Sequence, residues 1–183
     1  MKIIKHKKDL VTIPNLICYL RILLIPVFCY VYLTAQTTNG YYLAVGIVIF
    51  SSFTDLFDGM IARKFNQITE LGKILDPVAD KLTHGAFALC IAIRYPLMWL
   101  LILVMVIKEG YMAIKGIKYL NQGKMMDGAM WYGKVCTATL FIVLCILFGI
   151  YNLNAMIANG LIIITTLLML FTLYQYIRFY QKF

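Results

Sequence analysis

Long apolar runs, each close to the length of a membrane-spanning helix, recur along the whole chain. A transmembrane α-helix needs about 20 consecutive, mostly apolar residues. The runs of this chain predict six such helices, near residues 14–35, 40–64, 72–94, 96–120, 129–152 and 155–179. With 62% hydrophobic and 14% charged residues, the composition lies outside the usual range of soluble proteins. We therefore expect an all-α integral membrane protein in which residues 1–183 form one domain with six transmembrane helices.

The basic residues predict the orientation of these helices. Lys and Arg concentrate at the two ends of the chain and in two of the predicted turns, whereas the turns on the opposite side hold almost none. The positive-inside rule then places both termini in the cytoplasm, with residues 1–12 as a cytoplasmic lead-in. The net charge of +9 is explained by this topology and by attraction to anionic lipids, so no nucleic-acid partner is expected.

Neither the start of the chain nor its cysteines indicate processing or redox chemistry. Pro14 and Arg21 interrupt the first apolar run and no A-x-A site follows, so we expect no cleaved signal peptide. The cysteines show no C-x-x-C spacing and no nearby His pair, which favours a packing role over zinc binding or a disulfide framework. They are Cys18, Cys29, Cys90, Cys136 and Cys145.

The acidic residues are few, and most of them lie close together. Five of the eight fall in the stretch from Asp55 to Asp80, and four of these five are aspartates. A carboxylate at membrane depth costs about 2.5–3.5 kcal/mol on insertion scales, so this group needs a cation or a water-filled cavity. Asp55 and Asp58 are three residues apart, and Asp76 and Asp80 are four apart, so each pair lies on one face of its own helix. If an intervening turn makes the helices antiparallel, all four carboxylates converge near the cytoplasm as oxygen ligands for Mg²⁺, Mn²⁺ or Ca²⁺.

Small and basic residues accompany these acids. Gly59 and Ala62 continue the Asp55 face and allow a ligand or a second helix to approach the backbone. Arg63 completes that stripe, and a guanidinium suits phosphate binding through paired hydrogen bonds. We expect Gly72 to open the third helix.

A metal site accounts for the acidic cluster better than its alternatives do. Helix capping and topology explain single charges but not four acids at matched helical spacing, and the ligand pattern of an EF-hand is absent. An intramembrane cation transporter is an alternative of another class, although the acids cluster toward one side and no inverted repeat is apparent. Membrane prenyltransferases are a further alternative, but they usually carry two separated Asp-rich motifs in a longer helical bundle, whereas this chain has one composite motif in 183 residues.

The stretch that begins at Asp55 contains the complete pattern D-x2-D-G-x2-A-R-x8-G-x3-D-x3-D. With every spacing intact, it resembles the signature of the CDP-alcohol phosphatidyltransferase family. The segment I-P-N at 13–15, followed by Arg21, resembles the opening helix of that family, and W-Y-G-K at 131–134 resembles a later part of it. The resemblance therefore covers most of the chain.

This resemblance implies a six-helix enzyme, generally a homodimer, in which a hydroxyl displaces CMP from a CDP-linked lipid with two divalent ions, Mg²⁺ or Mn²⁺. By analogy with the family, Asp80 is both a metal ligand and the general base. The full set of metal ligands implied by the motif is Asp55, Asp58, Asp76 and Asp80. The residues expected at the CDP-lipid are Asp55, Gly59, Ala62, Arg63 and Gly72.

Within the family, the chain is most similar to the phosphatidylglycerophosphate synthases, which implies CDP-diacylglycerol as donor and glycerol 3-phosphate as acceptor. Cardiolipin synthase, with phosphatidylglycerol as acceptor, is the alternative, because Lys108 stands where an Arg is more usual. We expect Lys134 with Lys108 or Arg21 to bind the acceptor, and Arg21, inside an apolar helix, to need an acid or phosphate partner. Glu109 is a possible partner of Lys108, although adjacent helix residues point about 100° apart, which weakens that pairing.

Overall fold

A computed structural model of the chain describes residues 12–64, 70–121 and 130–181, without the side chains at 14, 55–64, 70, 73, 74, 117 and 119–121. These ranges contain six α-helices and no strand, so the all-α prediction is confirmed. The helices are α1 (Ile13–Thr34), α2 (Thr38–Lys64), α3 (Glu70–Arg94), α4 (Met98–Asn121), α5 (Trp131–Gly149) and α6 (Ala155–Gln181).

The helix starts follow from local backbone chemistry. α1 has Pro14 in its first turn, where the missing N–H has no helical partner to lose. Thr37 caps α2, since its Oγ1 accepts a hydrogen bond from the Gly40 amide at 3.2 Å. Asn154 caps α6 in the same way, because its Oδ1 accepts from the Met156 amide at 2.8 Å. Such side chains satisfy amides that the first turn of a helix leaves unpaired.

Large apolar side chains are exposed on every one of the six helices. In a soluble protein such surfaces mark interaction sites or aggregation hazards, whereas lipid tails cover them in a membrane. Among the described residues, α5, α6 and the part of α1 from Asn15 are each long and apolar enough to cross a bilayer. These helices indicate a membrane protein. Crossings by α2, α3 and α4, which carry more charged residues, stay a prediction.

Residues up to Cys90 form one compact unit, which holds α1, α2 and most of α3. α1 packs along α2, where the rings of Tyr32 and Tyr41 lie 5.4 Å apart. α1 also contacts α3, because the rings of Phe28 and Phe87 meet edge to face at 5.2 Å. These aromatic contacts join α1 to α2 and to α3 within this unit.

Residues from Ile91 onward form a second compact unit, in which α4 and α5 each pack on α6. Its core contains apolar side chains at helical spacing, among them Leu144 and Leu147 of α5 and Ile162 and Met169 of α6, all fully buried. Buried threonines of α6 also donate to the carbonyl four residues back, as Thr165 does at 2.8 Å, which satisfies their hydroxyls without water. The prediction of a single domain stays a prediction.

Candidate active site

α1 and α3 run side by side in the same direction within the first unit. Described side chains join them in ascending order along both helices, because higher-numbered residues of α1 meet higher-numbered residues of α3. The contacts are Cys18 with Asp76, Arg21 with Asp80, Phe28 with Phe87, and Cys29 with Cys90. Two membrane crossings that are separated by one further crossing would have this parallel relation.

Two of the four expected metal ligands lie on one face of α3. Asp76 and Asp80 are one helical turn apart, and their side chains are 50% and 51% exposed. Among the six helices, α3 separates its polar and apolar faces most strongly. Pro77 follows Asp76 inside the helix and has no backbone N–H to donate there. The two carboxylates are therefore open to an ion or a substrate on the polar face of α3.

Arg21 approaches both carboxylates from α1. Its Nη1 lies 3.1 Å from Oδ1 of Asp80 and 3.5 Å from Oδ1 of Asp76, and the residue is only 2% exposed. A buried guanidinium is tolerated only when its charge is compensated, and two carboxylates meet that need. The sequence predicted an acid or a phosphate as the partner of Arg21, and the structure identifies Asp76 and Asp80.

Only part of the expected metal site can be placed. Asp55 and Asp58 belong to the last turns of α2, but their side chains lie outside the described residues. Among the side chains that are described, no three His, Cys, Asp or Glu are grouped to hold a metal. Asp76 and Asp80 nevertheless suit a hard cation, because each offers two carboxylate oxygens and both are half-exposed. Their donor chemistry fits one half of a site for Mg²⁺ or Mn²⁺.

The remaining motif residues stay predictions. Gly59, Ala62 and Arg63 also belong to the end of α2, and their side chains lie outside the described residues. Gly72 does not open α3, as the sequence had suggested, because residues 70 and 71 are already helical.

Lys108 and Glu109 form an ion pair on α4, so the possible partner of Lys108 is its partner in the structure. The Lys108 Nζ lies 2.8 Å from Oε1 of Glu109, and the Lys108 side chain is 3% exposed. Helix geometry weakened this pairing because it considers only the directions in which adjacent residues leave a helix. Both side chains are long enough to bend toward each other, and a buried ammonium gains much from a close carboxylate.

The start of α5 is held tightly against α6. The hydroxyl oxygen of Tyr176 lies where a Cβ at Gly133 would be, and the ring of Tyr132 packs 4.9 Å from that of Tyr176. Close packing therefore requires a glycine at position 133. The sequence did not indicate this role, although the W-Y-G-K segment singled out there contains Gly133. Lys134, the next residue, is exposed, so this contact fixes the backbone from which its ammonium projects.

Comparison with known proteins shows what the whole chain is similar to. The model of the CDP-alcohol phosphatidyltransferase family matches residues 11–174. The chain is 30% identical over 169 residues to a CDP-diacylglycerol–glycerol-3-phosphate 3-phosphatidyltransferase of Escherichia coli, covering 90% of this chain and 92% of that protein.

Two relatives carry the name of the other candidate activity. A Mycobacterium tuberculosis protein named as a putative cardiolipin synthase is 33% identical over 113 residues, which cover 62% of this chain and 53% of that protein. A cardiolipin synthase and hydrolase fusion protein of Schizosaccharomyces pombe is 32% identical over 115 residues, 63% of this chain and 18% of the fusion protein. The chain thus spans about half or less of these two relatives.

Proposed function

Since the chain belongs to the CDP-alcohol phosphatidyltransferase family, we propose that it transfers a phosphatidyl group from CDP-diacylglycerol to an alcohol, with release of CMP. The observation that supports this most is the complete eight-position motif, from Asp55 to Asp80, in a chain that the family model matches over residues 11–174. The half-exposed Asp76 and Asp80 on the polar face of α3 agree with it. Family membership also favours an enzyme over the cation transporter.

The motif residues would have separate roles in this reaction. Two Mg²⁺ or Mn²⁺ ions, held by Asp55, Asp58, Asp76 and Asp80, would neutralise the pyrophosphate and the departing CMP. Gly59 and Ala62 would leave room beside the helix for the CDP group. Gly72 and Asp55 would also contact the lipid donor. Arg63 would bind one of its phosphates through paired hydrogen bonds.

Asp80 would act as the general base. The acceptor oxygen forms a new bond to the phosphatidyl phosphorus as the bond from phosphorus to CMP breaks, and the hydroxyl proton passes to Asp80. The Asp80 side chain is 51% exposed, so an acceptor hydroxyl can reach it. Its Oδ1 contacts Arg21, and the charge of that guanidinium opposes the mutual repulsion of carboxylates gathered at one place.

We propose glycerol 3-phosphate as the acceptor. The Escherichia coli relative named for this acceptor aligns over 92% of its length, whereas the two cardiolipin synthase relatives align over 53% and 18% of theirs. Lys134 is exposed at the start of α5 and can meet a dianionic headgroup. Lys108 is already paired with Glu109, so we assign the larger share of phosphate binding to Lys134.

Cardiolipin synthesis, with phosphatidylglycerol as acceptor, is the second candidate. The names of the Mycobacterium tuberculosis and Schizosaccharomyces pombe relatives support it. The two candidates differ in one respect that can be measured directly, because one acceptor is a small water-soluble dianion and the other is a lipid.

We also propose that all six helices span the membrane, that both termini and the site face the cytoplasm, and that the enzyme is a homodimer in the bacterial cell membrane. The parallel contacts of α1 with α3 and the apolar exposed faces support the crossings. The distribution of Lys and Arg supports the orientation.

An assay with a panel of acceptors distinguishes the two candidate functions. Purified protein in mixed micelles with CDP-diacylglycerol and saturating Mg²⁺ or Mn²⁺ is offered glycerol 3-phosphate, phosphatidylglycerol, serine or inositol phosphate, and the lipid product is identified by mass spectrometry. We expect phosphatidylglycerophosphate as the main product. Faster formation of cardiolipin would identify the second candidate, and turnover with serine or inositol phosphate alone would reject both.

A further inference from the structure

We propose that Arg21 competes with divalent metal for the carboxylates of Asp76 and Asp80 and holds them in position when no metal is bound. This inference rests on the proposed metal-dependent function. It makes Arg21 a positioning residue, in place of the substrate-binding role that the sequence suggested.

The geometry brings one cation to two potential metal ligands. Nη1 of Arg21 lies within 3.1 Å and 3.5 Å of Oδ1 of Asp80 and Asp76 respectively. Arg21 is 2% exposed, whereas the two carboxylates are about half-exposed. The guanidinium is therefore buried, whereas about half of each carboxylate side chain stays accessible to an ion.

The charges explain why both partners would act on the same groups. Two ionised carboxylates one helical turn apart repel each other, and a nearby cation relieves that repulsion. Arg21 supplies one such cation permanently, because a guanidinium does not lose its proton in proteins. A divalent metal on the same carboxylates would supply the other. Arg21 and the metal relieve the same repulsion, and the two cations repel each other. The contact of Arg21 with the carboxylates and the binding of metal therefore weaken each other by an equal factor.

A purely structural role for Arg21 makes a different prediction. If the guanidinium only ties α1 to α3, its removal lowers stability equally with and without metal, and the metal affinity stays the same. If it competes with metal, its removal lowers stability mainly in the metal-free protein. The affinity for metal then rises, by roughly tenfold for a charge a few ångströms from a half-exposed site.

The test measures thermal unfolding of the full-length protein in detergent during titration with MgCl₂ or MnCl₂ after chelator treatment. For Arg21→Gln we expect a lower unfolding temperature without metal, a larger rise on adding metal, and a midpoint about tenfold lower than wild type. Arg21→Lys, which keeps the charge, should keep a wild-type midpoint. Arg94→Gln is the matched control, because Arg94 lies at the other end of α3, 5.2 Å over the ring of Tyr151. It should leave the metal midpoint unchanged.

The outcomes distinguish a failure of this inference from a failure of the proposed function on which it rests. An equal loss of stability with and without metal, or a raised metal midpoint in Arg21→Gln, would overturn the competition while leaving the metal site intact. No effect of metal on the wild-type protein would instead overturn the metal site and the inference together. If Arg21→Gln does not accumulate, Arg21→Gln with Asp76→Asn removes one charge of each sign and should regain metal-free stability. Failure of that double variant to do so would also overturn the proposal.

Discussion

Replacement of Gly133 by Ala tests the close contact between α5 and α6. The new Cβ would collide with the Tyr176 hydroxyl and would lie 3.1 Å from its Cζ and 3.3 Å from its Cε2. Tyr176 is fully buried and packs against Tyr132, so its ring has little room to retreat. Overpacking of this kind costs roughly 1–3 kcal/mol. Ala is favoured over Gly inside a helix by about 1 kcal/mol, so we expect a net loss of up to about 2 kcal/mol.

A second variant identifies the colliding atom. Tyr176→Phe removes the hydroxyl oxygen, so Gly133→Ala should cost less in that background, and the difference should reach about 1 kcal/mol as a coupling energy. Gly160→Ala is the matched control, because a Cβ there meets no heavy atom within 4 Å. It should be neutral or stabilising by up to about 1 kcal/mol.

The assay is equilibrium unfolding of the four purified variants and wild type in mixed micelles. Equal stability of Gly133→Ala and Gly160→Ala would refute the contact. So would a Gly133→Ala cost that Tyr176→Phe leaves unchanged, because the hydroxyl would then not be the atom in the way.

Three further predictions concern other parts of the chain. Mild copper-phenanthroline oxidation should join Cys29 and Cys90, whose Sγ atoms lie 3.5 Å apart. Maleimide labelling after denaturation should then count two fewer thiols in wild type and in Cys145→Ser but not in Cys29→Ser. No cross-link would contradict the parallel pairing of α1 and α3. Gly59→Leu should abolish CMP competition in a folded protein, because its side chain would fill the space proposed for the CDP group; unchanged nucleotide affinity would reject that placement. Lys134→Ala should raise the KM for glycerol 3-phosphate about tenfold or more with little change for the lipid donor, as when a charge-assisted hydrogen bond is lost; an unaltered acceptor KM would remove Lys134 from the site.

The six helices could be predicted from sequence because their cause is local. Apolar runs of about 20 residues and a few capping residues determine where a membrane helix forms, so the predicted ranges agree with the observed ones to within about three residues. α5 shows the limit of this reasoning. It was predicted from 129 to 152, but Gly149 is its last residue, because hydropathy does not report the end of backbone hydrogen bonding.

The contacts between helices could be predicted much less well. Periodicity indicated that Asp76 and Asp80 share a face, which depends on one helix alone. It indicated only that Arg21 needs some anion, because which helix lies beside α1 is a property of tertiary packing. The Lys108 and Glu109 pair was considered but judged unfavourable for another reason, since backbone directions do not include the reach of flexible side chains.

Metal-dependent release of CMP tests the central claim most directly. Purified protein with CDP-diacylglycerol and glycerol 3-phosphate should release CMP only when Mg²⁺ or Mn²⁺ is added after chelation. Asp58→Asn and Asp76→Asn should each reduce the rate by roughly two orders of magnitude or more, because each removes a charge that the cation needs, while the helical fold is retained. Equal CMP release in excess chelator, or near wild-type rates in either variant at limiting metal, would contradict the account.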